Sequence, residues 1–150
     1  MQPFPHHYAV AAQAEAEGGI SLTAANLPAL ASAAPAEFDG PGDRWSPETL
    51  LVGAVADCFV LTFRGIAARS RLAWTSIRCE ASGTLDRVDG VTRFTTLTVR
   101  PRVVVPAGTS EELARRVLES AERNCLISNS LKAEVHLVPE VHVEAKSNAA

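Results

Sequence analysis

One long apolar run dominates the hydrophobic pattern of the chain. In residues 50–63 almost every side chain is apolar, on all sides of a helical wheel. Such a pattern predicts a helix that is buried all round. Ser46 is a good N-cap and Pro47 suits the first helical position, so we expect the helix to begin at Pro47 and to extend to about Arg71. Cys58 lies in its middle.

Alternating apolar and polar residues predict strands in four further segments. These segments are 20–24, 74–85, 94–105 and 132–143. Asp89-Gly90, between the second and the third, predicts a tight hairpin. Pro101 lacks a backbone N–H and therefore predicts a bulge or an edge position in the third strand.

A second helix is predicted after Gly108. Thr109 to Glu112 has the sequence of a capping box, with Glu112 at its third position. The helix that it opens carries one apolar stripe, which places Cys125 near the C-terminal end. That stripe consists of Leu113, Val117, Ala121 and Cys125. The order of elements predicts an α+β fold, with a mostly antiparallel sheet packed on the long central helix and the second helix.

Length, composition and charge narrow the class of protein. The 150 residues suit a single domain, 1–150, in which 1–17 and 145–150 are expected to be peripheral. A hydrophobic content of 47% with 21% charged residues is typical of globular chains. The net charge of −3 gives no electrostatic reason to expect binding to nucleic acid or to an anionic membrane.

Three further features indicate a cytoplasmic protein that does not span a membrane. The apolar run has only 14 residues and contains Asp57, so it is judged too short and too polar to cross a bilayer. The first ten residues lack the basic and apolar regions of a signal peptide. Three cysteines are too few for a secreted disulfide scaffold.

The cysteines differ in what their neighbours predict. Cys79 alternates with Ile77 and Ala81, so it is expected to be a small core residue. No further ligands at recognisable spacing accompany Cys58 and Cys125, so no metal is expected. No nucleotide-binding glycine pattern is present, and no cofactor is expected.

Three segments together resemble the OsmC/Ohr family, which contains the osmotically induced protein and the organic hydroperoxide resistance protein. They are Ser46-Pro47-Glu48-Thr49-Leu50, Asp57-Cys58-Phe59, and the segment from Cys125 to Leu131. The similarity covers roughly residues 18–143. It implies an intertwined homodimer acting as a thiol-dependent peroxidase on organic hydroperoxides, in defence against oxidative stress. It further implies that Cys58 is the peroxidatic thiol, that Cys125 resolves it, and that a dihydrolipoyl protein or small dithiol reduces the disulfide.

A reactive Cys58 requires a nearby positive charge. An ordinary thiol has a pKa near 8.5 and is only about 3% ionised at pH 7. Cys58 lies too far inside the helix for the N-terminal dipole to favour its thiolate. Family members use an N-terminal arginine held by the glutamate at the helix start, which corresponds to Glu48. No arginine precedes Arg44 in this sequence, so Arg44 is the candidate by position.

The spacing of Glu48 and Cys58 suggests how a second subunit contributes. Ten residues separate them, or ~15 Å along one helix. Glu48 therefore reaches Cys58 most easily from a second, antiparallel subunit, with Gly53 at the midpoint; Gly53 is equally explained by tight packing within one chain. The alternative function is a non-catalytic dimeric protein, either small-molecule-binding or structural, which the absence of an arginine before Arg44 favours.

Overall fold

The structure, a computed structural model, describes residues 2–146 and divides them into two compact units. The boundary between the units lies between Leu51 and Val52. The expectation of one domain, 1–150, stays a prediction. Its final residues, 147–150, lie outside the described part of the chain.

The first unit contains a small antiparallel sheet. Its strands are β1 (Ala11–Ala14), β2 (Ile20–Thr23) and β3 (Leu30–Ser32), in that order, and a 3₁₀ turn follows at Ala36–Phe38. Alternation in the sequence predicted β2 and missed the other two strands. Strand β1 exposes all four of its side chains, so no burial pattern marks it.

Helix α1 (Pro47–Arg69) begins where its capping residues predict. The Ser46 hydroxyl accepts the backbone N–H of Thr49 at 3.2 Å, and the Thr49 hydroxyl accepts the N–H of Ser46 at 2.8 Å. This reciprocal pair satisfies two donors that a helix start otherwise leaves unpaired. The helix ends before Arg71, which adopts a left-handed backbone with φ of 52°.

Only one face of α1 is buried in the single chain. The prediction that the helix is buried on all sides is therefore wrong for the isolated subunit. The buried residues lie at helical spacing on one stripe: Val55, Phe59, Phe63, Ile66 and Ala67. Leu61, on the opposite face, is 56% exposed. A helix that is apolar on every side is stabilised when every side is buried. The sequence does not show whether the same chain or a second chain buries it.

The expectation that the apolar helix is too short to cross a membrane is wrong. Helix α1 has 23 residues, and its most apolar stretch of 18 residues has a mean hydropathy of 1.8, so it is long and apolar enough to cross a bilayer. A core helix of a folded domain has the same properties, and Phe59 and Phe63 pack in the core of their own unit. The absence of a membrane partner stays a prediction.

The second unit is built on a four-stranded sheet. Strands β4 (Ser76–Val88) and β5 (Val91–Val105) form the predicted hairpin. Asp89 and Gly90 adopt positive φ of 51° and 79°, as a two-residue hairpin turn requires. The mixed α+β class is confirmed, but the sheet itself combines antiparallel and parallel strands.

The last predicted strand is two strands, β6 (Glu134–Leu137) and β7 (Glu140–Val143), both parallel to β5. Strand β6 pairs with residues 96–99 of β5 and β7 with residues 102–105. Pro101 lies between these two paired segments, where its missing N–H removes no ladder hydrogen bond. Of the two predicted alternatives the bulge is wrong, because the register shift lies at Thr84 and Leu85 in β4. Pro101 pairs with Cys79 of β4 and is unpaired on the side of β6 and β7, as at an edge.

Helix α2 (Glu111–Arg123) lies against this sheet and is shorter than predicted. Its N-cap is Ser110, one residue later than the predicted capping box, and the Ser110 hydroxyl accepts the N–H of Leu113 at 3.1 Å. One face of α2 joins the α1 stripe and the inner face of β5 in the core. The core residues from β5 and α2 are Leu97, Val99, Val103, Val105, Ala114, Val117, Leu118 and Ala121.

Candidate active site

Cys58 lies in the middle of α1 and is partly exposed. Its sulfur is 4.0 Å from the hydroxyl of Thr62, one helical turn later. By the helical period of about 100° per residue, Cys58 lies about 60° from Val55 and about 180° from Ala67. It therefore lies at the edge of the core stripe, beside the exposed face. An exposed edge of this kind is open to small reactants.

Cys125 lies between two helices instead of inside one, which corrects the predicted position near the end of a helix. Helix α2 ends at Arg123, and Cys125 is the N-cap of a short helix, α3 (Leu126–Asn129). The backbone N–H of Asn129 donates to the Cys125 carbonyl at 3.0 Å. The side chain of Cys125 has no exposed surface.

The fold brings Cys58 and Cys125 together, although 67 residues separate them in the sequence. The Cys58 thiol lies near enough to Cys125 to raise the pKa of the Cys125 thiol, and both cysteines are free. Two neighbouring thiols, one partly exposed and one buried, are a suitable arrangement for forming a disulfide after oxidation of either.

The surroundings of Cys125 act on its acidity in opposite directions. Burial raises the pKa of the Cys125 thiol most strongly, while the hydroxyl and the backbone N–H of Ser128 lower it. The neighbouring Cys58 thiol raises it further. The pKa of Cys125 is raised overall, so this thiol is protonated at neutral pH. Sequence reasoning missed Ser128; its position three residues after the N-cap was the available signal.

Cys79 lies on the inner face of β4, opposite Pro101 of β5, and packs against the core as predicted. Burial, the charge of a Cys125 thiolate and the charge of Glu80 raise the pKa of Cys79 to about 11. A thiol held in its neutral form is a poor nucleophile and metal ligand. Among residues 2–146, no three His, Cys, Asp or Glu side chains are placed to hold a metal ion.

Arg44 and Glu48 belong to the first unit. The Arg44 guanidinium forms an ion pair with Asp43 at 3.5 Å and lies against Gly19, where a side chain would collide with it. One carboxylate oxygen of Glu48 is buried and has no hydrogen-bond partner among residues 2–146. The assignment of Arg44 and Glu48 as activating residues stays a prediction.

Within residues 52–146 the Cys58 sulfur hydrogen-bonds to the Thr62 hydroxyl. No arginine or lysine of that unit hydrogen-bonds to the Cys58 sulfur. The sulfur therefore lacks, within its own unit, the positive charge that a reactive thiolate requires.

A concavity lies on the outer face of the sheet, away from the cysteines. It has a volume of about 220 Å³ and is lined by Arg78, Arg100 and Arg102 among other residues. Arg78 pairs with Glu80 at 3.0 Å and Arg102 with Glu140 at 3.9 Å. These carboxylates offset the positive charge, so the concavity is a solvated surface of ion pairs.

Comparison with known proteins agrees with this fold. The family model for OsmC-like proteins matches residues 40–140, which include Glu48, Cys58 and Cys125. The chain belongs to the OsmC-like family. Among relatives of this OsmC-like protein, the uncharacterized protein YmaD of Bacillus subtilis is 32% identical over 113 residues, which are 73% of this chain and 75% of YmaD.

Two further OsmC proteins are similar to the chain. Peroxiredoxin OsmC of Escherichia coli is 30% identical over 92 residues, which are 61% of this chain and 64% of that protein. The structure of an organic hydroperoxide resistance protein OsmC from Legionella pneumophila superposes with a TM-score of 0.73 at 20% identity, covering 94% of this chain and all of that one. At this identity the superposition shows a shared fold.

Proposed function

We propose that this OsmC-like protein is a thiol-dependent peroxidase that reduces organic hydroperoxides to alcohols, in defence against oxidative stress. The observation that carries the proposal is the proximity of the partly exposed Cys58 to the buried Cys125, shown by the effect of Cys58 on the pKa of Cys125. The peroxiredoxin from Escherichia coli and the hydroperoxide resistance protein from Legionella pneumophila support the substrate class.

The first step takes place at Cys58 because it is the more accessible of the two sulfurs. Its thiolate attacks the outer oxygen of the hydroperoxide, and the O–O bond breaks. The alkoxide leaves, takes a proton and departs as the alcohol. Cys58 is then a sulfenic acid, oxidised by two electrons.

The second step uses Cys125. Its sulfur attacks the Cys58 sulfenic acid, a disulfide forms, and the hydroxyl departs with the thiol proton as water. A dithiol, such as a dihydrolipoyl group on a partner protein, then reduces the disulfide and becomes oxidised itself. The cycle consumes one hydroperoxide and one dithiol and needs no bound cofactor. A reducing compartment such as the cytoplasm keeps the pair reduced between cycles.

Activation of Cys58 is assigned to Arg44 and Glu48 of a homodimer. The unpaired, buried oxygen of Glu48 supports this assignment, because a buried carboxylate needs a cation or a donor and the described chain supplies none. The exposed Leu61 on α1 supports the dimer, because a second copy of the helix covers such a side chain.

The test is a titration of free thiols before and after one equivalent of cumene hydroperoxide. We expect rapid loss of two thiols per chain in the wild type. In Cys58→Ser that rapid loss is abolished. In Cys125→Ser only the Cys58 thiol is oxidised, because no partner resolves it. The Cys79→Ala variant is the matched control and behaves as the wild type.

The alternative is a dimeric OsmC-like protein that binds a small molecule or has a structural role without catalysis. The absence of an arginine or lysine hydrogen-bonded to Cys58 within residues 52–146 favours it. In that case the thiols react with hydroperoxide no faster than a free thiol, and the Cys58→Ser variant loses thiols at the same rate as the wild type.

A further inference from the structure

The hydroxyl of Thr62 lies beside the Cys58 sulfur, and the peroxidase steps leave it without a role. The two atoms are 4.0 Å apart and form a hydrogen bond in which either group can donate. Both side chains are partly buried. Residues four apart lie one above the other on the same face of a helix, so α1 alone sets this pairing. It depends on no loop and on no second chain.

Other hydroxyls at the helices of this chain bond to the backbone instead. The Thr49 hydroxyl donates to the carbonyl three residues earlier at 3.0 Å, and the Ser130 hydroxyl donates to the carbonyl four residues earlier at 2.7 Å. Serine and threonine commonly make such bonds in helices. Within residues 2–146 the Thr62 hydroxyl bonds to the Cys58 sulfur and not to the Cys58 carbonyl. Its hydrogen therefore stays available to the sulfur.

Ionisation of Cys58 decides the direction of this hydrogen bond. In the neutral thiol either group can donate, whereas a thiolate can only accept, so the Thr62 hydroxyl is then the donor. Hydrogen bonds to an ionised group are stronger than those between neutral groups, so the bond favours the thiolate over the thiol. No arginine or lysine of residues 52–146 hydrogen-bonds to the sulfur. Thr62 is therefore the donor that this unit itself supplies.

We propose that Thr62 is a further residue of the active site, whose hydroxyl donates a hydrogen bond to the Cys58 thiolate and orients it toward the hydroperoxide. The inference deepens the proposed peroxidase function and rests on it. Thr62 keeps its own proton. Cys58 loses its proton to solvent, its sulfur bonds to the outer oxygen of the hydroperoxide, and the O–O bond breaks. The hydroxyl acts together with the charge proposed for Arg44 and does not replace it.

The first test measures alkylation of Cys58 by iodoacetamide as a function of pH. It uses the full, reduced chain, and mass spectrometry quantifies the peptide that contains Cys58. In Thr62→Val we expect the midpoint of the pH profile to move about one pH unit higher, because a hydrogen bond to a charged group is lost. The rate at high pH is expected to rise about threefold, because a less stabilised thiolate is a better nucleophile. The profiles of Thr62→Val and the wild type therefore cross.

Two further variants are the controls. Thr62→Ser keeps the hydroxyl and is expected to restore the wild-type profile. Thr95→Val makes the same chemical change on β5, where the Thr95 hydroxyl donates to the Thr84 carbonyl at 3.3 Å, and it is expected to leave the profile of Cys58 in place. An unmoved midpoint in Thr62→Val overturns the proposal, as does an equal shift in Thr95→Val. A change by the same factor at every pH indicates a purely structural role for Thr62 and also overturns it.

The second test follows oxidation of Cys58 by cumene hydroperoxide in a stopped-flow instrument. Below the midpoint we expect Thr62→Val to react about threefold more slowly than the wild type, because the tenfold loss of thiolate outweighs its gain in nucleophilicity. Equal rates of the two proteins at every pH overturn the role of Thr62. If neither protein reacts faster than a free thiol, the peroxidase function is overturned, and the alkylation profiles still decide whether Thr62 stabilises the thiolate.

Discussion

At the scale of single residues, burial decides how each cysteine can react. Cys58 is partly exposed and accessible to reactants, whereas Cys125 is buried. Cys79 packs against the core, and its raised pKa keeps the thiol neutral. Sequence alternation was enough to place Cys79 on the inner face of a strand. The proximity of Cys58 and Cys125 was not predictable from their spacing, because the residues next to each cysteine do not indicate which distant segment packs against it.

The raised pKa of Cys79 predicts a loss of stability at alkaline pH. Folding raises that pKa from 9.0 to about 11, so the neutral thiol is favoured in the folded state. The contribution of Cys79 to the free energy of unfolding is complete below about pH 9. It is lost as the pH rises toward about 11, because the Cys79 thiol ionises at lower pH in the unfolded chain than in the folded one. Denaturant unfolding at several pH values should show the wild type losing stability relative to Cys79→Val across that interval. A difference between the two proteins that stays constant over the interval contradicts this prediction.

Glu48 provides a residue-scale test that separates function from structure. Its unpaired buried oxygen is unfavourable in one chain, so Glu48→Gln is not expected to lower the stability of the subunit. The same change removes the charge that is proposed to hold the activating arginine. We expect oxidation of Cys58 by hydroperoxide to slow about tenfold, the effect of losing one charge-assisted hydrogen bond. Stopped-flow oxidation and denaturant unfolding measure the two effects, and an unchanged oxidation rate contradicts the assignment.

At the scale of secondary-structure elements, local chemistry predicted where elements begin better than where they end. The Ser46-Pro47 start of α1 and the Asp89-Gly90 hairpin are both confirmed, because each depends on a few adjacent residues. The apolar stripe of α2 continued through Cys125, but the helix ends at Arg123. The break between β6 and β7 also escaped prediction, since it lies opposite Pro101 on a different strand, which pairs with neither of them.

The core face of α1 gives a prediction at this scale. Phe63 is fully buried and meets Trp74 edge-on, with ring centroids 5.4 Å apart. Phe63→Ala is expected to lower the free energy of unfolding by about 3–5 kcal/mol, the usual cost of emptying a buried aromatic site. Val91→Ala, at a side chain that is 58% exposed, is the control and should change it by less than about 0.5 kcal/mol. A similar small loss for Phe63→Ala contradicts this description of the core.

At the scale of the whole molecule, the described chain leaves one face of its longest helix incompletely covered. Hydrophobicity predicted a helix buried all round, and the single chain buries one stripe. The hydrophobic pattern indicates that the side chains of this helix are buried, but it does not indicate which chain packs against them. The proposed homodimer supplies that cover and also the second subunit that the Glu48–Cys58 spacing requires.

Leu61 tests the homodimer directly. It is 56% exposed, and Leu61→Lys places a charge on the face that a second α1 is proposed to cover. We expect the variant to sediment as a monomer, because an unpaired charge in an interface is strongly unfavourable. Val91→Lys, at a similarly exposed apolar residue in the hairpin, should stay dimeric. Identical sedimentation of Leu61→Lys and the wild type excludes this face as the interface.

The peroxidase account depends most on the bond that forms between two particular sulfur atoms. Peptide mapping by mass spectrometry, after one equivalent of cumene hydroperoxide and blocking of the remaining thiols, tests it most directly. We expect one cross-linked peptide pair that joins Cys58 to Cys125, and we expect Cys79 to be recovered as the blocked free thiol. Recovery of Cys58 and Cys125 as separately blocked thiols, or a cross-link that involves Cys79 instead, would contradict it.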